Sequence, residues 1–281
     1  MKFLSFTRDG RASYGVLLAQ DQLADLGASL PQHADLRSAI EALQLHGLLE
    51  RAQTLKPSLV LKDVQLLPPV PHPQKIICVG LNYRAHAAEG GFKVPVFPST
   101  FIRLQDTLVA SGGAIVMPGM SSQLDFEGEL AIVIGKGGRE ISAADALTHV
   151  FGYACFNDGS LRDIQFGHSL AAGKNFPSTG GFGPFITSAD DIPDPSLLTL
   201  TTRLNGATVQ QQSLDDMIFD VPAIIEYVSS WTPLSPGDVI ATGTPAGVGF
   251  ARKPPLWMKP GDVIEVEISK LGVLRNVVTA A

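Results

Sequence analysis

The spacing of apolar positions changes several times along the first quarter of the chain. Residues 2–6 and 12–19 are short, largely apolar runs flanking Asp9-Gly10, a pattern that predicts two strands joined by a hairpin turn. From Asp35 the spacing lengthens. Leu36, Ile40, Leu43 and Leu48 make one apolar face, so a helix capped by Asp35 is expected through about Arg51. Residues 67–73 (Leu-Pro-Pro-Val-Pro-His-Pro) have no such spacing and read as a stiff, extended linker. A boundary is placed there, with a small α+β domain over residues 1–70 and a larger domain over 71–281. The leading part carries no polar constellation that points to chemistry.

After the boundary the pattern is mostly that of strands. Residues 75–79 form a buried apolar run, and 101–103 and 114–118 bracket a loop. Residues 124–134 read as a single strand with a β-branched second half, and 151–156 as another. A strand over 198–204 ends at Asn205-Gly206, a strong hairpin signal, and 261–268 alternates apolar with polar. Three helices are expected among them. Residues 84–89 are stopped by Gly90-Gly91, 143–148 start in the manner of a capping box from Ser142 and Asp145, and 222–230 have Pro in the first turn. The 28 Gly and 20 Pro agree with many turns and much β structure.

Composition narrows the class of partner. With 45% apolar and 17% charged residues the chain can bury a sizeable core, and a formal charge of −6 argues against a nucleic-acid backbone as partner. Two cysteines, Cys78 and Cys155, sit in apolar strand-like runs and make no disulfide framework, which fits a reducing compartment. No run approaches the ~18 apolar residues of a membrane-spanning helix, and the N-terminus lacks a signal-peptide pattern. A cytoplasmic protein without membrane contact is expected.

The polar residues that stand out are carboxylates. In one strand Asp125, Glu127 and Glu129 would share a face and repel one another unless water or a hard divalent cation neutralises them. Asp158, at a strand end, could add a further carboxylate. His86 and Glu89 are three apart on the short helix, a spacing that lets a carboxylate orient an imidazole as a general base or makes a surface pair. The glycines after it suit a lid. Arg162 and Gln165, also three apart, could face a small anion if their turn is helical. Lys174, in a glycine-rich stretch, is either solvent-exposed or held over an oxyanion, and composition favours exposure. The small residues of 238–249 would let backbone N–H groups approach an anion, with Thr242 or Thr244 adding a hydroxyl, although a tight turn without function has the same pattern. Phosphate-loop, dinucleotide-fingerprint, nucleophile-elbow and HExxH motifs are absent from the sequence.

Taken together, six blocks in order resemble the fumarylacetoacetate hydrolase family. They are 79–89 (Val-Gly-Leu-Asn-Tyr-Arg-Ala-His-Ala-Ala-Glu), 125–136 from Asp-Phe-Glu-Gly-Glu, Gly152-Tyr153 through Asn157-Asp158, Gly173-Lys174, 216–219 and 236–249. The resemblance implies an α+β fold built on a rolled, multilayered mixed β-sheet, usually dimeric, with one Mg²⁺ or Mn²⁺ per site. By motif position Glu127, Glu129 and Asp158 match the metal carboxylates, and Asp125 a supporting group. His86 and Glu89 match a water-activating dyad. Arg162, Gln165, Lys174 and Thr244 match groups that hold a 2-oxo acid, with Lys174 also adding charge in catalysis and Arg103 counted among the substrate-binding residues. Arg103 stands where many members have Lys, and Gly159 where a larger apolar residue is common. Ser213-Leu214 replaces a more usual Asn-Thr.

The residue types suit a 2-oxo acid or 1,3-diketone that chelates the cation, which as a Lewis acid stabilises the enolate left when a C–C bond breaks. The leading expectation is a metal-dependent hydrolase of an acylpyruvate, giving pyruvate and a carboxylic acid. Decarboxylation of oxaloacetate is the next, then isomerase, hydratase or lyase action on an unsaturated 2-oxo acid in aromatic catabolism. A non-catalytic metal-binding protein is disfavoured by the His86–Glu89 pair.

Overall fold

A computed structural model describes residues 1–19 and 21–281. Its frame is a large mixed sheet. From one edge the strands run Leu59–Val60, Gln22–Asp25, Arg11–Leu17, Lys2–Arg8, Gly180–Ser188, Val150–Asp158, Gly128–Ile134, Val239–Ala241, Ile76–Val79 and Thr100–Arg103. A second, five-stranded sheet runs Ala207–Ser213, Thr199–Leu204, Val263–Ile268, Gly272–Ala280 and Ala114–Met117. Helices accompany the sheets, the longest being Leu36–Gln53, so the α+β class holds.

The strand Gly128–Ile134 explains why an unbroken apolar run suits the centre of this fold. Alternate side chains leave on opposite faces, and both faces are covered. Leu130, Ile132 and Ile134 enter a core with Leu200, Ile225, Val266 and Ile268, whereas Ala131 and Val133 enter another with Phe3, Leu36, Ile40 and Phe151. The leading segment thus shares a core with the rest of the chain. It shares the sheet too, through Lys2 opposite Thr187 and Phe3 opposite Ile186.

Several expected elements form as read. Asp35 caps the helix Leu36–Gln53 by accepting from the Ser38 N–H at 2.7 Å, although Gln44 interrupts the helix with φ 55°. Asn205 and Gly206 both take positive φ in the hairpin turn, and Asp220 caps the helix Val221–Trp231. The two cysteines are buried free thiols.

Two expectations are corrected. The acidic stretch is not one strand. Leu124–Asp125 pairs with Ser160–Leu161, the chain breaks at Phe126 and Glu127, and a new strand starts at Gly128. At the break, side chains replace ladder partners: the Glu127 N–H donates to Asn157 Oδ1 at 3.0 Å and the Gly128 N–H to Gln210 Oε1 at 3.0 Å. The helix expected over 143–148 is only a 3₁₀ turn, Ala146–His149, with the Ser142 hydroxyl donating to the Asp145 carboxylate at 2.7 Å. The Thr148 hydroxyl donates to the Asp145 carbonyl at 2.6 Å, a side-chain-to-backbone bond of the kind that competes with helix propagation.

Candidate active site

The strand break gathers the carboxylates. Glu127 lies at the break, Glu129 one step into the new strand, and Asp158 at the end of the neighbouring strand, where its N–H donates to the Glu127 carbonyl at 2.8 Å. One oxygen from each carboxylate lies within 4.8 Å of the others, and all three residues are buried. Gly128 is demanded between them, because a Cβ there would sit 2.2 Å from Thr202 Oγ1. Three carboxylate oxygens are the donor type that Mg²⁺ and Mn²⁺ prefer, so the residues present fit a hard divalent cation.

Buried cations surround this cluster. Lys174 Nζ is 2.6 Å from Glu127 Oε2 and 2.6 Å from Asp158 Oδ2. Arg162 donates from Nη2 to Glu127 Oε1 at 2.5 Å and from Nε to Asp125 Oδ2 at 2.8 Å. Arg103 pairs with Asp158 Oδ1 from the other side. The expectation of an exposed Lys174 fails, since it is 3% exposed at the end of the helix Leu170–Lys174 and the carboxylates hold it inward. Burial pushes the Glu129 carboxyl well above the usual carboxylate range, and the charges of Asp158 and Glu127 push the same way. Burial also acts against charge on Glu127, but Arg162 and Lys174 outweigh it and hold that carboxylate well below the usual range. The burial cost of charging Lys174 is likewise outweighed by Asp158 and Glu127, which raise its pKa.

His86 belongs to the helix Arg84–Gly90, which Gly91 ends in the left-handed conformation. Its Nδ1 is 3.4 Å from Glu89 Oε2, and the ring lines the same cavity as the three carboxylates. Nδ1 is thereby occupied, leaving Nε2 as the nitrogen able to exchange a proton. Glu89 stands behind the ring and accepts from the Gly247 N–H at 3.0 Å. The cavity, about 210 Å³, is also lined by Arg162, Gln165, Lys174 and Thr244.

Arg103 does not line that cavity. Its Nε donates to Thr107 Oγ1 at 3.2 Å, Nη1 to Asp158 and to the Gly159 carbonyl, and Nη2 to Thr179 Oγ1 at 2.8 Å. It therefore positions Asp158 from behind. The small-residue stretch of 238–249 also departs from expectation. The anions at its N–H groups are the protein's own carboxylates: Gly243 donates to Glu129, Gly247 to Glu89 and Gly249 to Asp125. The Thr244 hydroxyl donates to the Gly128 carbonyl at 2.9 Å and accepts from Gln210 at 2.8 Å.

Three contributors were not singled out in the sequence. Gln210 ties Gly128, Thr244 and Pro245 together from within a run of three glutamines whose spacing says nothing of depth. Asn82 spans the Phe219 carbonyl and N–H and the Thr242 carbonyl. Phe250 covers the Arg162 guanidinium, with 4.5 Å from its Cζ to the ring centroid. Among the described residues, no helix is long and apolar enough to cross a membrane.

The family model described as fumarylacetoacetate (FAA) hydrolase C-terminal matches residues 75–279. The oxaloacetate tautomerase YisK of Bacillus subtilis is 43% identical over 221 residues, 77% of this chain and 73% of that protein. Among solved structures, a fumarylacetoacetate hydrolase from Exiguobacterium antarcticum is similar with TM-score 0.83 and 36% identity, each chain covered fully at 100%. A maleylpyruvate hydrolase from Sphingobium sp. SYK-6, in complex with manganese(II) and pyruvate, is similar with TM-score 0.83 and 30% identity, again over 100% of both chains.

Proposed function

Because the chain belongs to the fumarylacetoacetate hydrolase family, we propose that it performs metal-dependent enol chemistry on a 2-oxo acid, interconverting keto and enol forms as in an oxaloacetate tautomerase. The observation that carries this reading is one cavity holding both the three-carboxylate cluster and the His86 ring, whose Nδ1 is taken up by Glu89. A divalent cation held by Glu127, Glu129 and Asp158 would supply Lewis-acid polarisation of the substrate's oxo group.

The chain's own residues account for the proton. The substrate's carboxylate and oxo oxygens are placed against the floor of the cavity, where Lys174 and Arg162 contribute positive charge. His86 Nε2 takes a proton from C3, the C–H electron pair becomes the C2–C3 double bond, and the oxo oxygen gains the negative charge. Protonation of that oxygen gives the enol, and the reverse sequence restores the ketone. Glu89 holds the ring in the tautomer that leaves Nε2 able to accept.

A second reading is hydrolysis of an acylpyruvate, in which His86 takes its proton from water rather than from C3. The structural similarity to a maleylpyruvate hydrolase favours it. The deciding assay loads the protein with Mg²⁺ or Mn²⁺ and offers enol oxaloacetate and acetylpyruvate, following enol absorbance and pyruvate release. Enol decay without pyruvate supports the tautomerase reading, and pyruvate from acetylpyruvate supports the hydrolase. Pyruvate from oxaloacetate alone would make the protein a decarboxylase. If His86→Ala matches wild type on every substrate, the role given to His86 is wrong.

A further inference from the structure

Thr100–Arg103 is the last strand of the large sheet. Ile76–Val79 pairs with one side of it, and among the described residues no strand pairs with the other. Phe101 and Arg103 alternate onto one face, and both reach the site. The Phe101 ring centroid lies 5.2 Å from Lys174 Nζ, and Arg103 pairs with one oxygen of Asp158 while Lys174 takes the other at 2.6 Å. The placement of this edge strand therefore bears on the charges around the cluster.

One side chain holds the open side. Asn175 Oδ1 accepts from the Leu104 N–H at 2.6 Å, and Asn175 Nδ2 donates to the Ile102 carbonyl at 3.0 Å. Its carboxamide offers an acceptor and a donor, as a peptide unit of a neighbouring strand would. Asn175 also follows Lys174 directly and donates to the Ala171 carbonyl at 2.8 Å, so it joins the strand to the helix Leu170–Lys174. The two cations depend on this joint to different degrees. Arg103 is held by Thr107, Gly159 and Thr179 as well as Asp158. The hydrogen bonds of Lys174 Nζ run to Glu127 and Asp158, the carboxylates that fit a divalent cation. At the end of a flexible stem, the ammonium owes the rest of its placement to the Phe101 ring and to the backbone that Asn175 anchors.

We propose that Asn175 is a positioning residue for the reaction. By clamping residues 102 and 104 to the helix that ends in Lys174, it fixes the lysine ammonium between the Phe101 ring and the carboxylate cluster, where the ammonium meets the oxo acid. The meeting with substrate rests on the reading that a 2-oxo acid is held at the cavity floor, whereas the placement of Lys174 does not.

The test uses the full chain and two variants. Asn175→Ala removes the whole joint. Leu104→Pro removes only the N–H that Asn175 accepts, at a 57% exposed residue whose φ of −89° is close to the proline range. Without metal, Lys174 is acetylated with an activated ester and read by peptide mass spectrometry against the exposed Lys62. Each variant should label Lys174 about fivefold faster or more, the scale of one lost hydrogen bond. With Mn²⁺ bound, calorimetric titration of oxalate, a dianion that chelates a cation through two oxygens, should show about tenfold weaker binding in Asn175→Ala, as expected of a misplaced group. Added to Lys174→Met, Asn175→Ala should change oxalate affinity by less than about twofold, because the group it acts through is gone. A full further loss in Lys174→Met overturns the proposal, as does unchanged labelling of Lys174 in Asn175→Ala. Wild-type behaviour of Leu104→Pro beside a defective Asn175→Ala overturns it too, since Asn175 would then act as a helix cap alone. If the wild type ignores oxalate but labelling rises in both variants, the 2-oxo acid reading falls and the placement of Lys174 stands. If oxalate binds the wild type and labelling does not change, the reading stands and the role of Asn175 falls.

Discussion

Arg103 donates from Nη1 to the carbonyl of Gly159, at 3.1 Å, beside its pairing with Asp158. A Cβ at residue 159 would lie 2.1 Å from the Thr179 carbonyl, and one at Gly180 would lie 2.8 Å from Arg103 Nη2. The large guanidinium fits behind the site because residue 180 is glycine, while Gly159 is required by the close approach of the Thr179 backbone. Arg103→Lys keeps the charge but loses the fork that serves Thr107, Asp158, Gly159 and Thr179. Support of this kind for a metal ligand is worth about 10–100-fold in affinity, so a Mn²⁺ titration of Arg103→Lys should show a loss on that scale.

Glu89 contacts the His86 ring and the Gly247 N–H and does not itself line the cavity. Glu89→Gln keeps an oxygen for Gly247 and removes the charge beside the imidazole. Turnover should fall about 10²-fold or more, the lower end of general-base contributions, while Mn²⁺ affinity holds within about twofold. An equal loss of Mn²⁺ affinity would mean that Glu89 supports the carboxylate cluster instead.

Metal binding should be linked to pH through Glu129. Burial, with Asp158 and Glu127 nearby, keeps its carboxyl protonated at pH values where an ordinary carboxylate has ionised. In the folded chain without cation, Glu129 thus holds a proton that the unfolded chain has already released. Its contribution to stability falls as pH rises from the ordinary carboxylate range through the raised folded value. A divalent cation must displace that proton, so affinity rises with pH across the same window. Calorimetric titrations in two buffers of different ionisation enthalpy should report proton release, and Glu129→Gln should abolish it.

Gln210 is 2% exposed and satisfies three groups around the strand break. Gln210→Leu would bury the Gly128 N–H without an acceptor, a loss of about 1–3 kcal/mol by the usual cost of an unsatisfied buried group. Denaturant unfolding monitored by tryptophan fluorescence would measure it, and a change below the lower limit would show that the backbone finds another partner.

The legible part of this protein was local. The Asp35 cap, the Asn205-Gly206 turn and the helix bearing His86 and Glu89 follow from residues within a few positions of one another. The carboxylates could be found because three of them crowd a short stretch and the fourth ends a strand. What a single sequence could not give was the direction of long-range charge. Lys174 looked exposed because its stretch is rich in glycine, and only the fold brings Glu127 and Asp158 to it. The break at Phe126 and Glu127 was hidden for a similar reason, since Asn157 and Gln210 stabilise it from 30 and 82 residues away. Arg103 carried no local sign of facing away from the cavity.

The strand Lys2–Arg8 lies directly beside Gly180–Ser188, which in turn flanks the strand ending in Asp158. The leading segment therefore does more than precede the candidate site. It occupies one margin of the sheet that carries them and shields Phe151, Phe156 and Phe182. Removing it would leave unpaired backbone groups beside uncovered aromatic side chains, a template on which other chains could add strands. The first seventy residues, which hold no candidate catalytic group, thus pair the edge of Gly180–Ser188 and cover one face of the sheet.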